Sequence, residues 1–444
     1  MKTFRTGRDP SAAAGGEGVS GPVQEKRVRL KFRAHIEMGQ SPPSSEYSTA
    51  PADGLPFLQG TADFGVMSPT PQVYCGSPTK VARSGDILFS VRAPVGELNV
   101  ADQEYGIGRG LCAIRPHAGW HRRFAWWALH EARPQLGFVS TGSTYEAVAT
   151  EDVGNLSVEV ATPGAQRAIA DYLDRETARI DALIAAKERV LALLAEKRRA
   201  LITRAVTRGL DPNAPLRDSG IPWLGEIPAH WELKRLKHVG RAIIGLTFDP
   251  ANTVTDGSGV LVLRASNVRD QRIVLEDNLY VSMEIPDDLR TREGDILICS
   301  RSGSRALIGK NALIDSASAG LSFGAFMTVF RSPHNAFLFY VFNSPLFDYQ
   351  AGAFSTSTIN QLTVETLNGM EVPLPPQPEQ EAIVAWLRQK ISGLHAAAVA
   401  IDRSLALLRE RRSALIAAAV TGQIDVGETS DSDTEHQNNI GEKP

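Results

Sequence analysis

The longest regular alternation of apolar and polar positions lies between Gln166 and Asp211. Ile169, Leu173, Ile180, Leu183, Val190, Leu194 and Leu201 recur on a three-and-four spacing that skips polar Glu176, Lys187 and Lys197. The pattern returns 214 residues later, between Gln380 and Asp425, at Ile383, Leu387, Leu394, Ala397, Ile401, Leu408 and Leu415. A stripe of that spacing is a narrow seam for one partner helix. Pro163-Gly164 and Pro378 stand before the two stretches and Gly209 and Gly422 near their ends, as start and stop signals. At 1.5 Å per residue, about 40 residues make a rod of roughly 60 Å. Two rods in one chain are predicted to pack on each other, antiparallel after the long excursion between them.

The rest of the chain alternates on a shorter period. After Glu25 come the strand-like stretches VRLKF, LPFLQG, DILFSV and GLCAIR, separated by Gly/Pro turns, then a helix from Trp120 to Ala132. The loop VSTGSTYEAVATEDV and the apolar strand LSVEV lead into the first rod. Beyond Asp211, the linker DPNAPLRDSGIPWLGEIPAHW is rich in proline yet carries Trp223 and Trp231, which are costly to leave in water, so it is expected to be extended and anchored. The plan then repeats: LKRLK answers VRLK, LVLRASN answers PFLQGTA, and FGAFMTVFR answers IGRGLCAIR. Gly85-Asp86-Ile87-Leu88 and Gly294-Asp295-Ile296-Leu297 precede Arg92 and Arg301 in the same way. A duplicated half-molecule follows. The predicted class is α+β: two strand-rich domains separated by two long helices packed as an antiparallel coiled coil, with a pseudo-two-fold internal repeat. The expected divisions are a disordered arm (1–24), a first globular domain (25–160), a first helix (161–211), a linker with the second globular domain (212–372), a second helix (373–425) and a disordered acidic tail (426–444).

Charge narrows the function classes. The net charge of −3 includes an acidic tail, Gly427 to Pro444, so any nucleic-acid site must be a local patch. Cys75, Cys112 and Cys299 are isolated and fit neither a disulfide framework nor a zinc pattern. No apolar run approaches the roughly 18 residues of a membrane span, and residues 1–24 lack a signal peptide's apolar segment, so a reducing cytoplasm is expected.

No nucleotide loop, zinc-protease helix or serine elbow is present. Asp86 and Asp295 could serve a nuclease, but each sits in a Gly-Asp turn before a strand, where an Asx-type turn is the better reading. The polar groups suited to DNA are Gln59, Arg92 and Arg109 in the first domain, with Ser143, Thr144 and Tyr145 in its last loop. Arg264, Arg301, Ser302 and Arg305 are their counterparts in the second, with Thr358 and Asn360. Arginine can read guanine O6 and N7 with two hydrogen bonds or hold a phosphate; the competing reading of each is a surface ion pair. The run Lys197, Arg198, Arg199, Arg204, Arg208 has three readings, a solvated face, a complement to the helix C-terminus or a face toward a phosphate backbone, of which the first two are favoured. A coiled-coil scaffold with two protein-binding domains and no DNA role stands as the alternative.

Three motifs narrow this further: GIPWLGEIPAHWELKRLK at 220–237; GQSPPSSEY, GLPFLQGTADFG and IGRGLCAIRP within 39–116; and VPLPPQPEQEAIVAWL at 372–387. With them, residues 25–425 resemble the specificity subunit of type I restriction–modification systems. The resemblance implies two target recognition domains, each reading one half of a bipartite DNA sequence, and long helices that set the gap between the halves. It also implies double-stranded DNA, two adenine-methylating modification subunits and two motor/nuclease subunits as partners. S-adenosylmethionine, ATP and Mg are then expected on those partners and no cofactor on this chain, which lacks a [DN]-P-P-[YF] methyltransferase motif. The first domain has no counterpart of IPWLGEIPAHW.

Overall fold

A computed structural model describes residues 27–138, 148–353, 361–424 and 426. The described residues form two compact units, one from those within 27–185 and 405–426, the other from those within 186–404. The divisions fall inside the two long helices, Pro163–Arg208 and Gln377–Val420, so each unit contains part of both.

The first unit is built on β1 (Ala34–Met38), β2 (Leu55–Leu58), β3 (Ile87–Ser90), β4 (Leu98–Val100), β5 (Tyr105–Ile107) and β6 (Leu111–Pro116), followed by α1 (Arg122–Ala132). Four strands form an antiparallel sheet in the order β1-β6-β3-β4, and β2 runs parallel to β5 in a second sheet. Because side chains alternate across a strand, Ile87 and Phe89 face a core with Phe124 and Trp127 of α1, while Leu88 faces Leu58 and Ile107 of the second sheet. Both faces of the sheet are covered, which explains why DILFSV and GLCAIR read as continuous apolar runs rather than alternating ones.

The second unit repeats this arrangement with β7 (Arg241–Ile244), β8 (Val260–Leu263), β9 (Ile296–Cys299), β10 (Asn311–Leu313), β11 (Ser322–Phe323), β12 (Met327–Arg331) and α2 (Asn335–Phe342). The sheet order is β7-β12-β9-β10, and β8 runs parallel to β11. Parity is conserved between the units: Ile296 and Ile298 face the helical core, Leu297 and Cys299 the second sheet. Short strand pairs close both units, Val28–Arg29 with Ser157–Val158 and Glu232–Arg235 with Glu371–Leu374. The Trp-rich linker is anchored as expected. Trp231 is 2% exposed and donates from Nε1 to Glu379 at 3.0 Å, and Trp223 lies 5.4 Å from the Tyr349 ring.

Within each unit the long helices run antiparallel. Ile169, Ala170 and Leu173 share one core with Ile416, Ala419 and Val420, and further along Arg412 bonds Asp181 at 2.8 and 3.3 Å. In the second unit Ile202, Ala205 and Val206 share a core with Ile383, Val384 and Leu387. Two sequence expectations need correction. Leu183 and Val190 are 47% and 44% exposed, and the half-buried positions are Ile184 and Leu191, one residue further on. Ala397 is exposed and Ala398 takes its place. The seam keeps its seven-residue step through Leu173, Ile180, Lys187, Leu194 and Leu201, and its intervening positions fall four residues after these rather than three, which turns the buried stripe slightly around the helix. Ile180 is buried, and Leu194, Leu201, Leu394, Ile401, Leu408 and Leu415 are half-buried.

Pro163 and Pro378 lie inside the first turn of their helices, where a missing N–H costs nothing, rather than before it. Gly209 (φ 71°) and Gly422 (φ 68°) take the left-handed conformation that ends a helix. Gln377–Val420 is also long and apolar enough to cross a membrane by length and composition alone. Its alanines raise the mean hydropathy without making an uninterrupted apolar run.

Candidate nucleic-acid interface

Backbone hydrogen bonds gather the ends of several strands at one end of each globular unit. In the first, Gly108 N donates to Leu58 O at 2.8 Å, Val91 N to Gly110 O at 2.9 Å, and Gln40 N to Ile107 O at 2.9 Å. The second repeats all three: Gly324 N to Leu263 O (3.0 Å), Ser300 N to Phe326 O (3.0 Å) and Leu246 N to Phe323 O (2.7 Å). Glycine is required where the chains cross. A Cβ on Gly39 would stand 2.1 Å from Gly108 O, and one on Gly245 2.2 Å from Gly324 O.

These crossings bring Gln59, Arg92 and Arg109 to one end of the first unit, all three exposed. The Arg109 backbone N–H donates to Ser41 Oγ at 3.1 Å, fixing the turn while its guanidinium faces solvent. In the second unit they bring together Arg264, Arg301 and Ser302 around a cavity of about 940 Å³, walled by Leu246, Phe248, Met327 and Phe326. Arg301 lies over the Phe326 ring, 5.3 Å from its centroid, and Phe326 is itself 59% exposed. Among the described residues Arg301 has no carboxylate partner. Arg264 differs: its Nη2 donates to Asp277 O at 2.6 Å and to Asp277 Oδ2 at 3.0 Å. The ion-pair reading holds for Arg264, whose charge is compensated within its own loop. Ser302 Oγ accepts from Ser304 N at 3.2 Å. Arg305 is exposed on the turn Arg305–Leu307, outside the cavity wall. Ser143, Thr144, Tyr145, Thr358 and Asn360 lie outside the described residues.

The aromatic and aliphatic wall is absent from the sequence reading. Its signal was present in the aligned motifs, because FGAFMTVFR places Phe326 where IGRGLCAIR has Gly110. The same motifs end in Arg115 and Arg331, which turn out to bind the two candidate carboxylates. Arg115 donates from Nε to Asp86 Oδ1 at 2.9 Å and from Nη2 to Oδ2 at 2.6 Å; that carboxyl also accepts from Arg83 N at 2.8 Å, closing the Gly-Asp turn. Asp86 and Asp295 are each 2% exposed. Carboxylates so enclosed and so fully bonded are structural clamps, out of reach of a phosphodiester. The hydrogen bonds that Arg115 donates to Asp86, followed by the charge of that carboxylate, hold its guanidinium above its ordinary range. Among the described residues no group of three His, Cys, Asp or Glu side chains could hold a metal ion.

The basic run near the end of the first long helix is largely paired. Arg198 bonds Gln271, Arg199 lies 3.2 Å from Asp348, and Arg208 lies 3.5 Å from Glu226. Gln271 and its neighbour Asp270 have left-handed backbones (φ 63° and 48°) at the tip of a hairpin, a conformation that side chains rarely adopt.

Comparison with known proteins explains the duplication. The family model described as "Type I restriction modification DNA specificity domain" matches twice, at residues 34–192 and 228–398. The chain belongs to this family. It is 39% identical over 139 residues to the putative type I restriction enzyme MjaX specificity subunit of Methanocaldococcus jannaschii, covering 31% of this chain and 32% of that one. It is 23% identical over 207 residues to the EcoKI specificity subunit of Escherichia coli, covering 45% and 44%. The alignments thus span a third to under a half of these relatives' length. A longer, weaker alignment to the Escherichia coli EcoDI specificity subunit is 22% identical and covers 78% of both chains. The fold is shared with a chain solved in a study of complex assembly and conformational transition of the type I R-M system. The TM-score is 0.71 at 19% identity, covering 91% of this chain and all of that one.

Proposed function

We propose that this chain is the DNA-recognition subunit of a type I restriction–modification complex, itself without catalytic groups. Each globular unit reads one half of a bipartite target, and the paired helices set the gap between the halves. The observation that carries the reading is the repeat itself: the specificity-domain match falls once on each globular region, and each region gathers its exposed arginines at the same strand ends.

Two adenine-methylating modification subunits dock on this scaffold, and two motor/nuclease subunits join them for cleavage. S-adenosylmethionine, ATP and Mg belong to those partners. The complex works in the cytoplasm. Half-sites one helical turn apart are separated by about 34 Å, a distance that a rod of roughly 60 Å can bridge. Arg92, Arg109 and Arg301 are the strongest base or phosphate contacts among the described residues.

With a net charge of −3 the chain brings little of its own phosphate affinity, and partners supply much of it. Gel shifts at fixed salt test this. The isolated chain should bind target and scrambled duplex weakly and alike, whereas the assembled complex should prefer the target. Equal, target-specific affinity without the modification subunit would refute the reading.

A further inference from the structure

Arg301 and its surroundings distinguish the second unit from the first. Its guanidinium is free of carboxylates among the described residues and rests on the Phe326 ring, at the rim of a cavity with an apolar wall. The position of Phe326 is held in the first unit by Gly110, and that of Leu246 by Gln40, so among the described residues these two apolar side chains have no counterpart beside Arg92.

An arginine stacked on an aromatic face has its planar fork oriented before binding, which lowers the entropy lost when both N–H groups engage. A phosphate is a poor match for this rim. Arg264, the other cation, is compensated by Asp277, and a desolvated phosphate against Leu246, Phe248 and Met327 would lose hydration without compensation. A base fits both features, with an apolar face for the wall and an acceptor edge for the fork. Among base edges in the major groove, guanine alone offers two adjacent acceptors, O6 and N7, to a guanidinium.

We infer that Arg301, placed over the Phe326 ring, is a specificity-determining residue that reads one guanine in the half-site of the second unit. Arg92, with Gly110 in place of that ring, contributes phosphate affinity instead. This assignment rests on the proposed role in DNA recognition.

The test uses the complete complex with its modification subunits, once the target has been mapped from methylated adenines. Binding is measured on a panel of duplexes carrying every single substitution in both half-sites, across a salt series. Arg301→Lys keeps the charge and loses the fork. It should weaken target binding about tenfold or more and flatten the preference at one guanine of one half-site, with the salt slope unchanged. Phe326→Ala, at an exposed position, should weaken the same preference in part. In the wild type, 7-deazaguanine at that position should reproduce the loss, and Arg301→Lys should add nothing to it. A uniform loss across all duplexes, with a salt slope reduced by about one on Arg301→Ala, makes Arg301 a phosphate contact and overturns the inference. So does unchanged binding by both Arg301 variants. A wild-type complex with no sequence preference at all defeats the proposed function instead, so the two failures are distinguishable.

Discussion

Arg331 lies across Asp295 with two parallel hydrogen bonds, Nε to Oδ1 at 2.9 Å and Nη2 to Oδ2 at 2.7 Å. The carboxyl side chain is 3% exposed and also accepts from Arg292 N at 2.8 Å. Breaking one partner of such a buried pair leaves the other uncompensated, at a cost of about 3–5 kcal/mol. Asp295→Asn should therefore lower the urea midpoint of the chain substantially. The variant that remains folded should still assemble and support methylation, because the carboxyl closes a turn. Lost activity at unchanged stability would return Asp295 to the catalytic reading.

The two faces of the first long helix predict unequal costs. Leu173 is fully buried, whereas Leu183, on the same predicted seam, is 47% exposed. Leu173→Ala should destabilise by about 2–5 kcal/mol and Leu183→Ala by less than about 1 kcal/mol. Paired denaturation curves settle it; equal losses would place the seam through Leu183 after all.

His130 gives the first unit a pH dependence. Burial, then the charges of Arg133 and Arg412, push its imidazole down to about 4. The folded state holds it neutral while the unfolded chain binds a proton near pH 6.5. Its contribution to stability is thus complete above about pH 6.5 and is lost as pH falls from there toward 4. Glu131, raised by burial, acts in the opposite direction, so the comparison must be made against a variant. The drop in melting temperature between pH 7.5 and 5 should be smaller in His130→Gln than in the wild type. An identical drop would mean that the imidazole titrates normally.

The helices also make a prediction about the target. Four residues inserted near Ala192 lengthen the first helix by about 6 Å. Methylation mapping should then show a changed spacer or lost activity, with both half-sites unaltered. Altered half-site bases at a constant spacer would show that the rods are not the ruler.

Periodicity made much of this architecture legible. The duplicated stripe, the glycine stops and the paired motifs FGAFMTVFR and IGRGLCAIR were enough to place two equivalent α+β units and two long helices, because repeats and alternation are local properties of a chain. Arg92 and Arg301 were found in the same way, as exposed residues following matching strands. Arg264 looked equivalent to them and is not, since its neutralisation by Asp277 depends on a loop that closes thirteen residues further on.

The sequence by itself determined the duplication, the fold class, the helix ends and the Gly-Asp turns, all of which follow from spacing and backbone preference. Only the tertiary structure decided which of two adjacent stripes is buried on each helix, since Leu183 and Ile184, or Val190 and Leu191, are equally apolar and the partner helix chooses between them. It alone showed that Asp86 and Asp295 are closed by Arg115 and Arg331, and that Phe326 supports Arg301. Such contacts join side chains from strands far apart in the chain, and their chemistry exists only once packing has removed water and fixed the distance between them.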